Sequence, residues 1–139
     1  MFEYRRYVQF YETDLMKVVH HSNYVKFFEE ARVEWLRAKN LTHAHSPQAD
    51  LSLGVIDMQC RYLKPAYFGD QLTVKLQLKL EGRKVRFQYA IFSDRFGAEK
   101  PITTGMTLHI PLNSDFKVCS LTPEIKQQLE KEQWTETWH

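Results

Sequence analysis

The sequence predicts an α+β fold in which a curved antiparallel β-sheet wraps around one long central α-helix, with a short C-terminal helix added. Three observations carry this. Apolar residues recur at helical spacing from Tyr24 to Ala38, residues from Leu72 onward alternate apolar and polar, and Thr122-Pro123-Glu124 has the composition of a helix start. A helix with a broad apolar stripe must be covered, and consecutive antiparallel strands curled around it would do so.

Taken in order, Tyr4 to Phe10 is rich in strand formers, including Tyr7, Val8 and Phe10, and predicts an opening strand. From Ser22, read as an N-cap, residues Tyr24, Phe27, Phe28, Ala31, Trp35 and Ala38 share one helix face. Leu41 to Asp50 reads as a loop in which His43 and His45 are solvated. Leu51 to Leu63 reads as a strand closed by Lys64-Pro65, because proline has no N–H to give to an interior ladder. Leu72, Val74, Leu76, Leu78 and Leu80 alternate with polar neighbours, which gives one buried and one wet face. Gly82 suits a hairpin turn, after which Val85, Phe87, Tyr89 and Ile91 continue the alternation. A turn at Asp94 to Gly97 leads into Ile102, Thr104, Met106, Leu108 and Ile110. The last helix is capped by Thr122, begins at Pro123 and runs to about Lys131.

The 139 residues suit one domain, spanning 1–139. A formal charge of +2, from 19 basic and 17 acidic residues scattered along the chain, argues against a nucleic-acid partner. No apolar run approaches the roughly 20 residues of a membrane span, and Met1 to Arg6 lacks the apolar core of a signal peptide. These features predict a soluble, cytoplasmic protein with no membrane span, in which Cys60 and Cys119 are reduced thiols.

Chemistry concentrates between Tyr11 and Tyr24. Asp14 falls between the opening strand and the long helix, whose first amides lack internal acceptors and whose dipole favours negative charge. A carbonyl oxygen aimed at those amides would be polarised, and Asp14 could act on the carbon as nucleophile or through water as general base. From composition alone a loop aspartate is more often a turn or cap residue, so both readings stand at this point. His20 and His21 are adjacent and lack the HxxxH spacing of zinc ligands, so no metal site is expected. Ser22 has no GxSxG setting and reads as a cap, not a nucleophile.

Tyr11, Thr13, Asp14, Val18, Val19, His21, Asn23 and Tyr24 are followed by Phe27, Phe28, Glu29, Ala31, Arg32 and Trp35-Leu36. This run resembles the motif of the 4-hydroxybenzoyl-CoA thioesterase-like branch of the hotdog superfamily. Tyr62-Leu63-Lys64-Pro65-Ala66 and Phe68-Gly69-Asp70-Gln71-Leu72 resemble its second conserved stretch, so the likeness spans nearly the whole chain. The resemblance implies hydrolysis of acyl-CoA thioesters to free acid and CoA. It makes Asp14 the catalytic carboxylate and His21, through its backbone N–H, the oxyanion donor. Asn23, Tyr24, Tyr62, Lys64 and Pro65 become the substrate-binding set, with Asn23 and Tyr24 supporting the loop. It implies no metal or redox cofactor, since CoA arrives as part of the substrate, and acyl carrier protein is an alternative carrier. It further implies a homodimer with sheets joined edge to edge and sites at the interface, commonly doubled into a homotetramer. The alternative reading is a non-catalytic hotdog module that binds an acyl-thioester or a protein partner. Its motivation is Lys17, which stands where many relatives have glycine: the residue predicts a differently shaped loop, or an ion pair that lowers the pKa of Asp14.

Overall fold

Tyr24, Phe27, Phe28, Ala31 and Trp35 form the buried face of helix α1, Ser22–Ala38, in a computed structural model that describes residues 1–41 and 52–136. The chain runs β1 (Phe2–Tyr7), a 3-10 turn (Phe10–Glu12), α1, β2 (Leu53–Tyr62), β3 (Gln71–Glu81), β4 (Lys84–Ser93), β5 (Thr103–Pro111) and α2 (Pro123–Glu130). The opening strand is thus shorter than its composition suggests, because Phe10 already belongs to the turn. Most of the loop expected at Leu41 to Asp50, with His43 and His45, lies outside the described residues. Among the described residues, no helix is long and apolar enough to cross a membrane.

All five strands pair antiparallel in the order β1-β3-β4-β5-β2. Leu72, Val74, Leu76 and Leu78 on β3 and Val85, Phe87, Tyr89 and Ile91 on β4 face α1 and are buried, as their alternation requires. The β3–β4 hairpin turns through Gly82, whose φ of 61° at the first central position fits a type II′ turn. Phe27, Phe28 and Trp35 are almost fully buried. Each contributes about 1.5–3 kcal/mol by leaving water.

The sheet does not wrap around the helix, which corrects the curled architecture predicted above. It is an open layer: β1 pairs only with β3, β2 pairs only with β5, and these edge strands lie at opposite sides. Helix α1 packs on one face, chiefly over β3 and β1. The reason lies in the helix itself. Its apolar residues occupy mainly one stripe, which a single layer covers, while Lys26, Glu29 and Arg37 stay exposed and would be costly to enclose.

Strand β5 follows the turn as its sequence indicates, and its pairing decides which of its faces is inward. Its pairing with β4 sets Gly105 against Tyr89, Thr107 against Phe87 and His109 against Val85, so these residues face the helix. Met106 and Leu108 fall on the opposite face. That outer face is partly covered by charged side chains and by the C-terminal segment: Gln77 donates to the Thr135 carbonyl at 2.8 Å and accepts its N–H at 3.1 Å, and Lys79 lies over Trp134. Helix α2 starts as its sequence signals, with Thr122 Oγ1 accepting the Ile125 N–H at 3.3 Å and Pro123 in the first turn.

Candidate active site

The segment between the 3-10 turn and α1 closes on itself. Thr13 and Val19 form an antiparallel bridge, the Asp14 N–H donates to the Val18 carbonyl at 3.0 Å, and the Lys17 N–H donates to the Asp14 carbonyl at 2.9 Å. The Met16 N–H donates to Asp14 Oδ1 at 2.8 Å, an Asx-type contact that orients the carboxylate. Lys17 takes the left-handed conformation, φ 65°, that suits glycine. The residue therefore does not reshape the loop by avoiding that conformation. Among the described residues it makes no ion pair with Asp14.

A second loop braces the first. The Val19 N–H donates to the Ala66 carbonyl at 2.9 Å, and Val18 bridges Tyr67. Asp70, buried, holds this second loop: its Oδ2 accepts the Tyr67 N–H at 2.9 Å, and its carboxylate pairs with Arg95 at 2.9 Å. The hydrogen-bonded carboxylate beside Arg95 raises the guanidinium pKa further.

Asp14, His21, Tyr24, Tyr62, Lys64 and Pro65 line one cavity of about 330 Å³, within the usual size range of ligand sites. Asn23 does not line it. Its side-chain Nδ2 donates to the Glu12 carbonyl at 2.8 Å. The Tyr62 hydroxyl donates to the His21 carbonyl at 2.9 Å, and the Tyr24 and Tyr62 rings meet edge to face at 5.2 Å. Burial, reinforced by the Cys60 thiol, pushes Tyr62 up to about 12, so it is a neutral donor. Burial likewise raises Tyr24.

Helix α1 opens differently from its sequence signal. Ser22 is the first helical residue and His21 the N-cap, and His21 makes no side-chain capping bond. The Nδ1 of His20 accepts the Ser22 N–H at 3.2 Å and contacts Ser22 Oγ at 2.8 Å, so the His20 ring does the capping. The Asn23 N–H donates to the His20 carbonyl at 3.0 Å. Among the described residues, no hydrogen bond runs from the His21 backbone N–H, which leaves a donor at the positive end of the helix. Among the described residues, no cluster of histidine, cysteine, aspartate or glutamate side chains is placed to hold a metal ion.

The sequence and the fold that carries this cavity match known proteins. Residues 8–129 match the model of the thioesterase-like superfamily. The chain belongs to that superfamily. A relative from Aquifex aeolicus (strain VF5), named for a proposed esterase activity, is 36% identical over 129 residues, covering 92% of this chain and 97% of its own. A 1,4-dihydroxy-2-naphthoyl-CoA hydrolase from Synechococcus elongatus is 26% identical over 126 residues, covering 88% and 90%. The crystal structure of a hypothetical protein from Aquifex aeolicus superposes with a TM-score of 0.82 at 34% identity, covering 94% of this chain and 100% of that one. Relatives in this superfamily are consistently named esterases, thioesterases or hydrolases.

Within this thioesterase-like fold, sequence reasoning passed over Glu12 and Arg6. Glu12 is a charged residue near the start of the motif, yet 4% exposed, and Arg6 binds it with both terminal nitrogens at 2.8 Å. A carboxylate flanked by Tyr11 and Thr13 was the available signal, since a buried charge needs a partner. It was not decisive, because nothing local names Arg6 as that partner.

Proposed function

We propose that this chain hydrolyses acyl-CoA thioesters to free acid and CoA, with Asp14 as the reacting carboxylate and the His21 backbone N–H as the oxyanion donor. The observation that carries this reading is that Asp14 and His21 face one cavity while the His21 amide lacks a partner among the described residues. A thioester carbonyl oxygen seated at that amide would gain negative charge as the carbon is attacked, and the helix start would stabilise it.

Two routes use this placement. As general base, Asp14 takes a proton from water while the water oxygen bonds to the carbonyl carbon. The carbon–sulfur bond then breaks, the electron pair leaves on the CoA sulfur, and Asp14 returns the proton to it. As nucleophile, an Asp14 oxygen bonds to that carbon and expels the thiolate, leaving a mixed anhydride that water opens. Neutral Tyr62 holds the His21 carbonyl and does not compete as a base.

Tyr24, Tyr62, Lys64 and Pro65 form walls suited to the acyl-pantetheine arm, which CoA and acyl carrier protein share. The ten-residue edge strand β2 exposes Val55, Ile56 and Met58, and an unpaired edge of that length supports a homodimer joined through it, with a homotetramer as its doubled form. The naphthoyl-CoA relative puts aromatic acyl groups on the list of substrates to try.

Hydrolysis of a panel of aliphatic and aromatic acyl-CoAs, 1,4-dihydroxy-2-naphthoyl-CoA included, tests the reading. Native turnover that Asp14→Ala and Asp14→Asn both abolish is the expected result. Turnover retained in both variants would remove Asp14 from the chemistry, and no native turnover on any thioester would leave a binding module.

A further inference from the structure

Glu12 lies outside the cavity, yet both its main chain and its side chain are engaged. Its carbonyl accepts the His20 N–H at 2.9 Å and Asn23 Nδ2 at 2.8 Å. Its carboxylate takes both terminal nitrogens of Arg6 at 2.8 Å and the Gln9 N–H at 2.8 Å. Arg6 also reaches Glu30 through Nε at 2.9 Å, and its guanidinium lies 4.1 Å from the centre of the Phe27 ring. The Tyr4 hydroxyl donates to Glu30 at 2.8 Å. These carboxylates hold Arg6 protonated, above its ordinary value despite burial.

Asn23, Phe27 and Glu30 follow one another at spacings of four and three, so they share one face of α1 across two turns. The helix is therefore tied to the β1 and 3-10 segment at two points along its axis. The two ties fix where that face sits along its length, and the packing of α1 on β3 and β1 holds the face toward the segment.

What they fix is the pair of groups that would do the chemistry. Asp14 follows Glu12 by two residues, and the His21 N–H follows the His20 N–H that Glu12 binds. A buried charge network is a poor device for stability, since its desolvation cost offsets much of the attraction and apolar packing would serve as well.

We propose that Glu12, acting with Arg6 and Asn23, is a positioning residue that holds the Asp14 carboxylate and the His21 amide in register. Asn23 then acts on the helix start and not on the substrate. The inference rests on the assignment of Asp14 and His21 above.

Kinetics on an acyl-CoA turned over by the native protein test it, using Asn23→Ala, Glu12→Ala and Glu12→Gln, each with its thermal midpoint. Asn23→Ala is expected to lower kcat about 10- to 100-fold with KM within about threefold, since misplacement near 1 Å costs about that much. Glu12→Gln keeps one acceptor for the Gln9 N–H and Arg6 Nη1 but turns an amide NH2 toward Arg6 Nη2, so it should lose less kcat than Glu12→Ala without restoring the native value. A raised KM at unchanged kcat in Asn23→Ala would make that residue a substrate contact and overturn the proposal, as would no change in either constant. Losses that only follow the thermal midpoint and vanish on cooling would also overturn it.

Amide exchange supplies a readout independent of turnover. In Asn23→Ala the His20 N–H should exchange faster while the middle of α1 keeps its protection; unchanged exchange at His20 sinks the positioning role. If the native protein hydrolyses no thioester, the kinetic arm reports failure of the hydrolase reading, and the exchange arm still decides this one.

Discussion

The Tyr62 hydroxyl donates to the main-chain carbonyl of His21 at 2.9 Å, tying the end of edge strand β2 to the first turn of α1 at the cavity wall. The two elements are far apart in sequence, so this bond reports directly on tertiary packing. Tyr62→Phe removes the donor and keeps the ring. The expected cost is about 1 kcal/mol, the net value of one such bond, seen as a lower urea midpoint at unchanged slope. An unchanged midpoint would mean that water replaces the contact without loss.

Lys17 has a left-handed backbone that a side chain with a Cβ adopts at a cost. Lys17→Gly removes that strain but loosens the unfolded chain, so the net gain should be about 0.5–1 kcal/mol. Lys17→Ala keeps the strain and should give no such gain. Comparing the two in urea separates the backbone effect from the loss of charge, and equal midpoints would refute the strain argument.

Gly105 stands where nothing larger fits. A Cβ there would lie 2.5 Å from the Phe28 ring and 2.7 Å from the Gln59 carbonyl, and Phe28 is itself stacked on Tyr89 at 4.4 Å. Gly105→Ala should therefore destabilise by about 1–3 kcal/mol, the usual range for overpacking. Combining it with Phe28→Leu should cost less than the sum of the single changes, because both act on one contact. Strict additivity would show that the backbone moves instead.

His109 is fully buried and linked through Thr107 to Tyr89 and Arg32: Nε2 meets Thr107 Oγ1 at 2.8 Å, Thr107 Oγ1 meets the Tyr89 hydroxyl at 2.6 Å, and Arg32 donates to that hydroxyl at 3.0 Å. Burial, with the Arg32 charge adding to it, pushes His109 down to about 4 from 6.5. The native state thus refuses a proton that the unfolded chain accepts below pH 6.5. Stability should fall as pH drops from about 6.5 to about 4 and level off below, with a total loss on the order of 3 kcal/mol from this group. Urea unfolding across that range checks the sign. An NMR titration in which His109 protonates near 6.5 would remove the effect.

Local patterns in the chain were enough to locate its elements. The leucines of β3, the aromatic stripe of α1 and the Thr122-Pro123 start of α2 each express a short-range periodicity or a capping preference, and each is found where it was expected. The motif from Tyr11 to Tyr24 likewise marked the segment where Asp14 and His21 meet one cavity. Period two, however, identifies two faces of a strand without saying which is inward. Pairing with β4 turned Thr107 and His109 toward the helix and left Met106 and Leu108 outside. The far-edge position of β2, the open sheet, the cap supplied by His20 and the turn of Asn23 toward Glu12 were also decided by tertiary structure. Each depends on a partner distant in sequence, or on how the long helix meets its neighbours. A local pattern sets which residues seek burial or a hydrogen bond, whereas the partner that satisfies them exists only once the chain has folded.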